Sequence, residues 1–509
     1  MDLTGARILL RAGLLRPARP DRLLGMALQA ARWDLTPAGA YAVAAVRDPH
    51  GIAIVDDEGS LTFRELDRRT DRIAGELRAR GLRPGDPVGL LARNGRGFVE
   101  ALVAICKCGG DVLLLNTGSA GAQLAEVLDR EDAAALVHDA DLGALLEGAS
   151  AGRLVATTEE LDEAGRSGAH GAPPRPGRQP RIVILTSGTT GAPRGAARSS
   201  GTLDDLIAFL DGIPLRAKET TVIAAPVFHA WGLGHLTLAV LLGSTVVLNK
   251  RFTPDAVLHA VEEHGATALV VVPVMLDKLL EADPSRFDTS SLRVVASSGS
   301  ALPGELATRV LEELGPVLYN LYGSTEAAYA AVAGPDDLAE DPRTAGRPPY
   351  GVVLRVVDEH GHDVPPGEAG RIFVGSGLSF GGYTDGSDKE RIGGLVATGD
   401  LGSFDADGRL TVLGRDDDMV VIGGENIYPN QVEDVLLGHP QVTDCAVTAA
   451  DDPSFGVRLV AHVVGDAEAE ELKALVRDKL ARFAVPREIR YVDELPRNTT
   501  GKVLKRELA

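Results

Sequence analysis

Residues 184–195 form the stretch ILTSGTTGAPRG, entered through the apolar run RIVIL at 181–185. The run has the character of a buried strand that ends at Leu185. Thr186, Ser187, Thr189 and Thr190 then supply hydroxyl donors, and Gly188 and Gly191 let backbone N–H groups approach an anion closely. Arg194 adds a positive charge. This is the chemistry of a phosphate cradle. The pattern G-x-x-x-x-G-K-[ST] is absent, so the loop is not a Walker A motif. On local composition alone it also fits a plain polar loop.

Outward from this loop, short apolar runs recur: VGLLA, DVLLLN, ALVVVPV (268–274) and LRVVASSG (292–299), with helical segments between them. Strands alternating with helices predict an α/β fold with parallel sheet and helices on both faces. The segment TFRELDRRTDRIAGELRARG predicts a capped helix. Thr62 and Glu65 form a capping box, Leu66, Ile73 and Leu77 share a face, and Gly81 stops it. After residue 345 the pattern changes to antiparallel signals, with a hairpin expected at Asp407-Gly408. A helix opened by Pro429 follows. The last ninety residues suggest a small separate α+β domain with its boundary near Arg415–Asp418.

The bulk properties narrow the function. A chain of 509 residues exceeds one hydrophobic core, so at least two domains are expected. A net charge of −20 argues against nucleic acid as main partner, because phosphate backbones need a basic surface. A phosphorylated ligand must then be met by local cations and N–H groups. Three cysteines, Cys106, Cys108 and Cys445, suggest a reducing, cytoplasmic setting without a disulfide framework. The lone C-x-C argues against zinc. No apolar stretch reaches membrane-spanning length uninterrupted, and no integral membrane segment is expected. The amino-terminal segment mixes leucines with Arg7, Arg11, Arg16, Arg19, Arg22 and Arg32. It fits a helix packed on the domain surface or a basic amphipathic helix touching lipid.

Four further motifs accompany the loop. NLYGSTEAA (320–328) sets Tyr322 beside Gly323, Ser324, Thr325 and Glu326, a ring able to stack on a base and a carboxylate able to hold Mg²⁺. ATGDLG (397–402) presents Asp400 in a turn, where it could accept hydrogen bonds from a ribose diol. GRDDDMVVIGGENIYP offers Arg415 and a glycine pair. LPRNTTGKVLKREL carries Lys502 after a glycine on a mobile tail.

Together, in this order and spacing, these motifs resemble the acyl-adenylate-forming superfamily over residues 50–509, and within it bacterial fatty-acyl-CoA ligases. The resemblance implies a large amino-terminal domain (1–414) that binds acyl group and ATP. It would have mostly parallel sheets flanked by helices and a distorted β-barrel subdomain. A small mobile α+β lid (415–509) would turn about Asp417. It further implies ATP, Mg²⁺ and coenzyme A as cofactors. Residues 186–194 would hold the β- and γ-phosphates. Gly299, Ser300 and Asn320 would hold adenine, with Tyr322 stacking and Gly323 beside it. Thr325 would touch the α-phosphate, Glu326 would bind Mg²⁺, and Asp400 and Arg415 the ribose. His229 would stand at the mouth of the acyl pocket, with Trp231, Gly232, Val274, Gly299, Gly323, Ala327 and Ala328 around it. Lys502 would be the catalytic lysine, and Gly423 and Gly424 would line the CoA thiol tunnel.

The family usually carries lysine at the position of Arg194. Arginine keeps the charge and changes a point cation into a planar fork. Two readings stand: a tolerated variant, or weakened adenylation in an enzyme that performs mainly the thioester half on an adenylate made by a partner. No aspartate accompanies PVFHAWG to pair with an ammonium, so a hydrophobic carboxylic acid is the expected substrate. Free CoA is the expected acceptor, with an acyl carrier protein as the alternative. A non-catalytic adenylate-binding protein is a further reading, opposed by the presence of Glu326, Asp400, Arg415 and Lys502.

Overall fold

The computed structural model describes the chain except residues 1, 16–18, 35, 187–193, 199–201, 325–326, 378–379, 384–387, 417, 423–424, 453–455, 481, 499–500 and 509, and except the side chains of 186, 194–198, 380–383, 421, 425–426, 451 and 456. The chain divides into two compact units: residues 1–271, 282–296 and 377–389, and residues 272–281, 297–376 and 390–509.

The first unit is α/β. In one sheet, Ile52–Asp56, Thr245–Val247, Thr220–Ile223 and Ala268–Val271 run parallel, with Gly59–Thr62 antiparallel at the edge. In the other, Ile182–Thr186, Asp111–Leu114, Pro87–Leu91, Ala135–His138 and Leu154–Thr157 run parallel. Arg194–Arg198 and Phe380–Tyr383 extend that sheet antiparallel. The capping box forms as expected. Glu65 N donates to Thr62 Oγ1 at 3.2 Å and Thr62 N to Glu65 Oε2 at 2.8 Å, opening the helix Phe63–Ala79. Leu66, Ile73 and Leu77 on that helix are buried. The neighbouring helix Arg96–Cys108 is buried along almost its whole length, and Lys107 is fully enclosed. Burying a lone ammonium is costly. Here Lys107 Nζ meets Asp67 at 2.8 Å and Asp71 at 2.6 Å and lies 5.7 Å from the Trp33 ring.

The second unit contains the antiparallel part of the chain. Val353–Val357, Gly370–Gly375, Leu395–Phe404, Arg391–Ile392 and Leu410–Arg415 form a five-stranded sheet. The expected hairpin is present, with Gly408 at φ +77°. The carboxy-terminal region is a small α+β domain. Val442–Asp452 pairs antiparallel with Gly456–Gly465, which pairs parallel with Glu488–Tyr491. The helix Pro429–Leu437 has its proline in the first turn, as expected. Val432, Leu436, Val447, Leu459, Val463, Leu472 and Val476 form this domain's core. Among the described residues no helix is long and apolar enough to cross a membrane, and no cluster of metal-ligating side chains occurs.

Candidate active site

In the second unit, the strands Leu395–Phe404 and Leu410–Arg415 pair so that Asp400 lies opposite Arg415. Asp400 therefore sits inside a strand. The expected turn survives only as an irregularity within the strand: its register against Gly370–Gly375 jumps between Ala397 and Leu401, where Gly399 takes φ +81°, and pairing with the opposite strand runs on from Asp400. A Cβ on Gly399 would lie 3.1 Å from the Arg415 guanidinium, so glycine leaves room for that side chain. Arg415 Nη1 reaches Asp400 Oδ1 at 3.5 Å and donates to Thr398 O at 3.3 Å. Asp400 N donates to Thr398 Oγ1 at 3.1 Å. Tyr322, on the strand Leu318–Tyr322, donates its hydroxyl to Asp400 Oδ2 at 2.5 Å.

Burial raises the Asp400 carboxyl above the ordinary carboxylate range, while Tyr322, Arg415, Lys502 and Thr398 pull it back down. The Tyr322 hydroxyl is raised by burial and by the adjacent carboxylate. A carboxylate offers about four acceptor positions. Tyr322, Arg415 and Thr398 engage it here, so capacity remains for a diol hydroxyl.

Asn320 lies two residues before Tyr322, and its Oδ1 is buried without a hydrogen-bond partner. Leaving such an acceptor unsatisfied is costly. An amino group such as that of adenine would satisfy it. Gly299 has φ +96° and stands 3.2 Å, measured from an added Cβ, from Val272 Cγ1. Ser300 follows it and is half-buried. Beyond Tyr322 the chain turns tightly. A Cβ on Gly323 would lie 2.1 Å from Ala328 O, so only glycine fits, and Ala328 itself adopts φ +60°. Ala327 is buried. Ser324 Oγ accepts from Ala327 N at 3.0 Å, and Ala330 N donates to Tyr322 O at 2.9 Å. Thr325 and Glu326 lie outside the described residues.

Lys502 belongs to the same unit and its charge is felt at Asp400. It is not on a loose tail, as the sequence suggested. Asn498 N donates to Lys502 O at 2.9 Å and Lys502 N to Asn498 Oδ1 at 2.9 Å. Arg497 holds the turn by donating to Gly501 O and pairing with both carboxylate oxygens of Asp444 at 2.7 Å. Gly501, at φ +79°, packs so closely on Val274 that an added Cβ would lie 2.4 Å from Val274 Cγ1.

In the first unit, His229 caps the helix Ala230–Leu242. Burial lowers its pKa to about 4. Its ring centroid lies 4.6 Å from that of Phe228. Trp231 donates its indole N–H to Val271 O at 2.9 Å. Gly232 is required, because an added Cβ would lie 2.4 Å from Pro226 O.

Two residues here were not singled out from sequence. Asn94 is buried and donates to Ile223 O at 3.1 Å and Ala225 O at 3.0 Å, while its Oδ1 accepts from Val227 N at 2.9 Å. It fixes the segment that leads to His229. His235 is fully buried, edge-on to Trp231 at 4.2 Å and to Phe209 at 5.2 Å, with its pKa lowered to about 4. An Asn in a strand-to-helix loop and a His one turn after Trp231 were the only available signals.

The strands on either side of the opening loop pair antiparallel, with Thr186 opposite Arg194. A strand, not a helix, follows it, which separates it from a Walker A arrangement. Ser187, Gly188, Thr189, Thr190 and Gly191, and the side chains of Thr186 and Arg194, lie outside the described residues. So do Asp417, Gly423 and Gly424.

Known proteins agree with this architecture. Residues 41–384 match the AMP-binding enzyme family and residues 431–502 its C-terminal domain. A feruloyl-CoA synthase from Amycolatopsis is 36% identical over 474 residues, covering 90% of this chain and 96% of the relative. The o-succinylbenzoate CoA synthetase from Bacillus subtilis, solved with its acyl-adenylate intermediate, superposes with a TM-score of 0.83 at 29% identity, covering 92% of this chain and 97% of that one. An amide bond synthetase from Marinactinospora thermotolerans gives 0.82 at 30% identity, covering 93% and 99%. The chain belongs to the AMP-binding enzyme family. It is an adenylating enzyme of the CoA-ligase type, served by ATP, Mg²⁺ and coenzyme A.

Proposed function

We propose that this chain activates a hydrophobic, ring-bearing carboxylic acid as its acyl-adenylate and passes the acyl group to coenzyme A. The observation that carries this reading is the Tyr322–Asp400–Arg415 cluster, with Asn320 Oδ1 unsatisfied beside it and the charge of Lys502 reaching Asp400. Bound ATP supplies an electrophilic phosphorus, Mg²⁺ offsets the charge of the departing pyrophosphate, and CoA supplies the thiol.

The chain's own groups then divide the work. Asn320 accepts from the adenine amino group, with Gly299 and Ser300 beside it. Asp400 accepts from the ribose hydroxyls, and Arg415 and Tyr322 hold that carboxylate in place. Lys502 offsets the repulsion between the acid's carboxylate and the α-phosphate. Residues 186–194, Thr325 and Glu326 complete the phosphate and metal contacts. Residues 415–509 act as the lid, with Asp417 as hinge and Gly423 and Gly424 on the thiol path.

The substrate class is supported by the surroundings of His229 and Trp231. The rings of Phe209, Trp231 and His235 cluster there, and burial keeps both imidazoles neutral near pH 7. The relatives named for feruloyl and o-succinylbenzoyl groups act on ring-bearing acids. Measuring pyrophosphate exchange and acyl-CoA formation over a panel of aryl, fatty and amino acids tests the reading. Aryl acids should support both. Exchange without any thioester from free CoA would redirect the acceptor to an amine or a carrier protein.

A further inference from the structure

We propose that the amino-terminal helices Leu3–Arg11 and Pro20–Trp33 seat this protein on an anionic lipid surface. The matched family region begins at residue 41, after both helices. Half of the large apolar side chains left exposed among the described residues lie in this short segment: Leu3, Leu10, Leu15, Leu23, Leu24 and Leu28. Leu3 is 91% exposed, and Leu10, Leu24 and Leu28 are each above 60%. Isolated exposed leucines need no explanation, but a set at helical spacing does. In the second helix Leu24, Ala27, Leu28 and Ala31 stand at i, i+3, i+4 and i+7, all facing solvent. The buried side of that helix ends in Trp33, which anchors it through Lys107, so the stripe is the outward face of a seated element.

Charge selects the occupant. The chain carries −20 overall, yet residues 1–34 hold six arginines against three aspartates. Arg7 and Arg11 are exposed and have no ion-pair partner among the described residues. Arg22 donates to the carbonyl of Arg47 and has no ion-pair partner among the described residues, while Arg32 donates to the carbonyl of Pro173 and its charge acts on the nearby Asp71. Among the described arginines of this segment, Arg19 forms the ion pair, with Asp21 at 3.1 Å. Leucines interleaved with arginines fit the boundary between acyl chains and headgroup phosphates. An anionic bilayer repels the acidic remainder of the chain and attracts this end, which fixes the orientation of approach.

The test is co-sedimentation of the full chain with phosphatidylcholine vesicles and with vesicles containing phosphatidylglycerol. Binding should appear with the anionic vesicles, weaken with salt, and fall about fivefold for each of Arg7→Gln and Arg11→Gln. Leu24→Asp with Leu28→Asp should abolish it, while thermal unfolding and pyrophosphate exchange in solution stay as in the parent. Two results would overturn the proposal. One is no binding to anionic vesicles, or binding unchanged in these variants. The other is a dimer, seen by sedimentation velocity, that the leucine substitutions dissociate.

Discussion

The surroundings of Asp400 and of His229 are both shielded from water, and they handle polar groups in opposite ways. Around Asp400, burial raises a carboxyl group and four donors or cations pull it back. Around His229 and His235, burial lowers two imidazoles to about 4. Trp231 O accepts from His235 Nδ1 at 3.1 Å and opposes the shift only weakly. The first environment concentrates charge, as the proposed nucleotide contact requires. The second removes charge, as the proposed contact with an apolar acyl group requires. The contrast teaches that low dielectric strengthens a paired charge and suppresses an unpaired one.

The comparison can be broken at several points. Lys502→Ala should cost the most. Adenylation should fall roughly 10²–10³-fold, the scale of a removed electrostatic stabiliser. Thioester formation from preformed adenylate should persist. Rapid-quench measurement of both half-reactions checks this, and equal losses would remove Lys502 from its role. Asp400→Asn comes next. It keeps the shape and deletes the charge that Tyr322 and Arg415 face. The apparent KM for ATP should rise about 10–100-fold, the range of a charged hydrogen bond. The KM for the acid should change little, and steady-state kinetics with each substrate varied separates the two.

The smallest effect belongs to the apolar side. His235 titrates near 4 when folded and near its ordinary 6.5 when unfolded. Between those values the unfolded chain binds more protons, so stability falls as pH is lowered from about 6.5 toward 4. Urea midpoints at pH 7 and pH 5 should show this loss, and His235→Gln should flatten part of it. An unchanged slope in the variant would place the titrating group elsewhere.

The elements with strong periodicity were legible in the sequence. The Thr62–Glu65 capping box, the parallel strands and the Asp407-Gly408 hairpin follow from local chemistry that tertiary packing does not override. The candidate site residues stood out as a set of motifs, and their environments did not. Nothing in ATGDLG reveals that Asp400 pairs across a strand with Arg415, because register depends on a partner strand. Lys502 read as a loose tail because its clamp, Arg497 with Asp444, joins residues 53 positions apart. Asn94 gave no signal for a similar reason: it fixes a segment about 130 residues away.

The most direct test of the proposed ionic nucleotide environment and charge-free acyl environment uses two acids that differ by one group. 3-Phenylpropanoate and phenylalanine share a skeleton, and only the second carries an ammonium. Burying that cation without a partner carboxylate costs several kcal/mol. Pyrophosphate exchange should therefore proceed with 3-phenylpropanoate and be at least about 100-fold slower with phenylalanine. Equal exchange with phenylalanine would contradict the account.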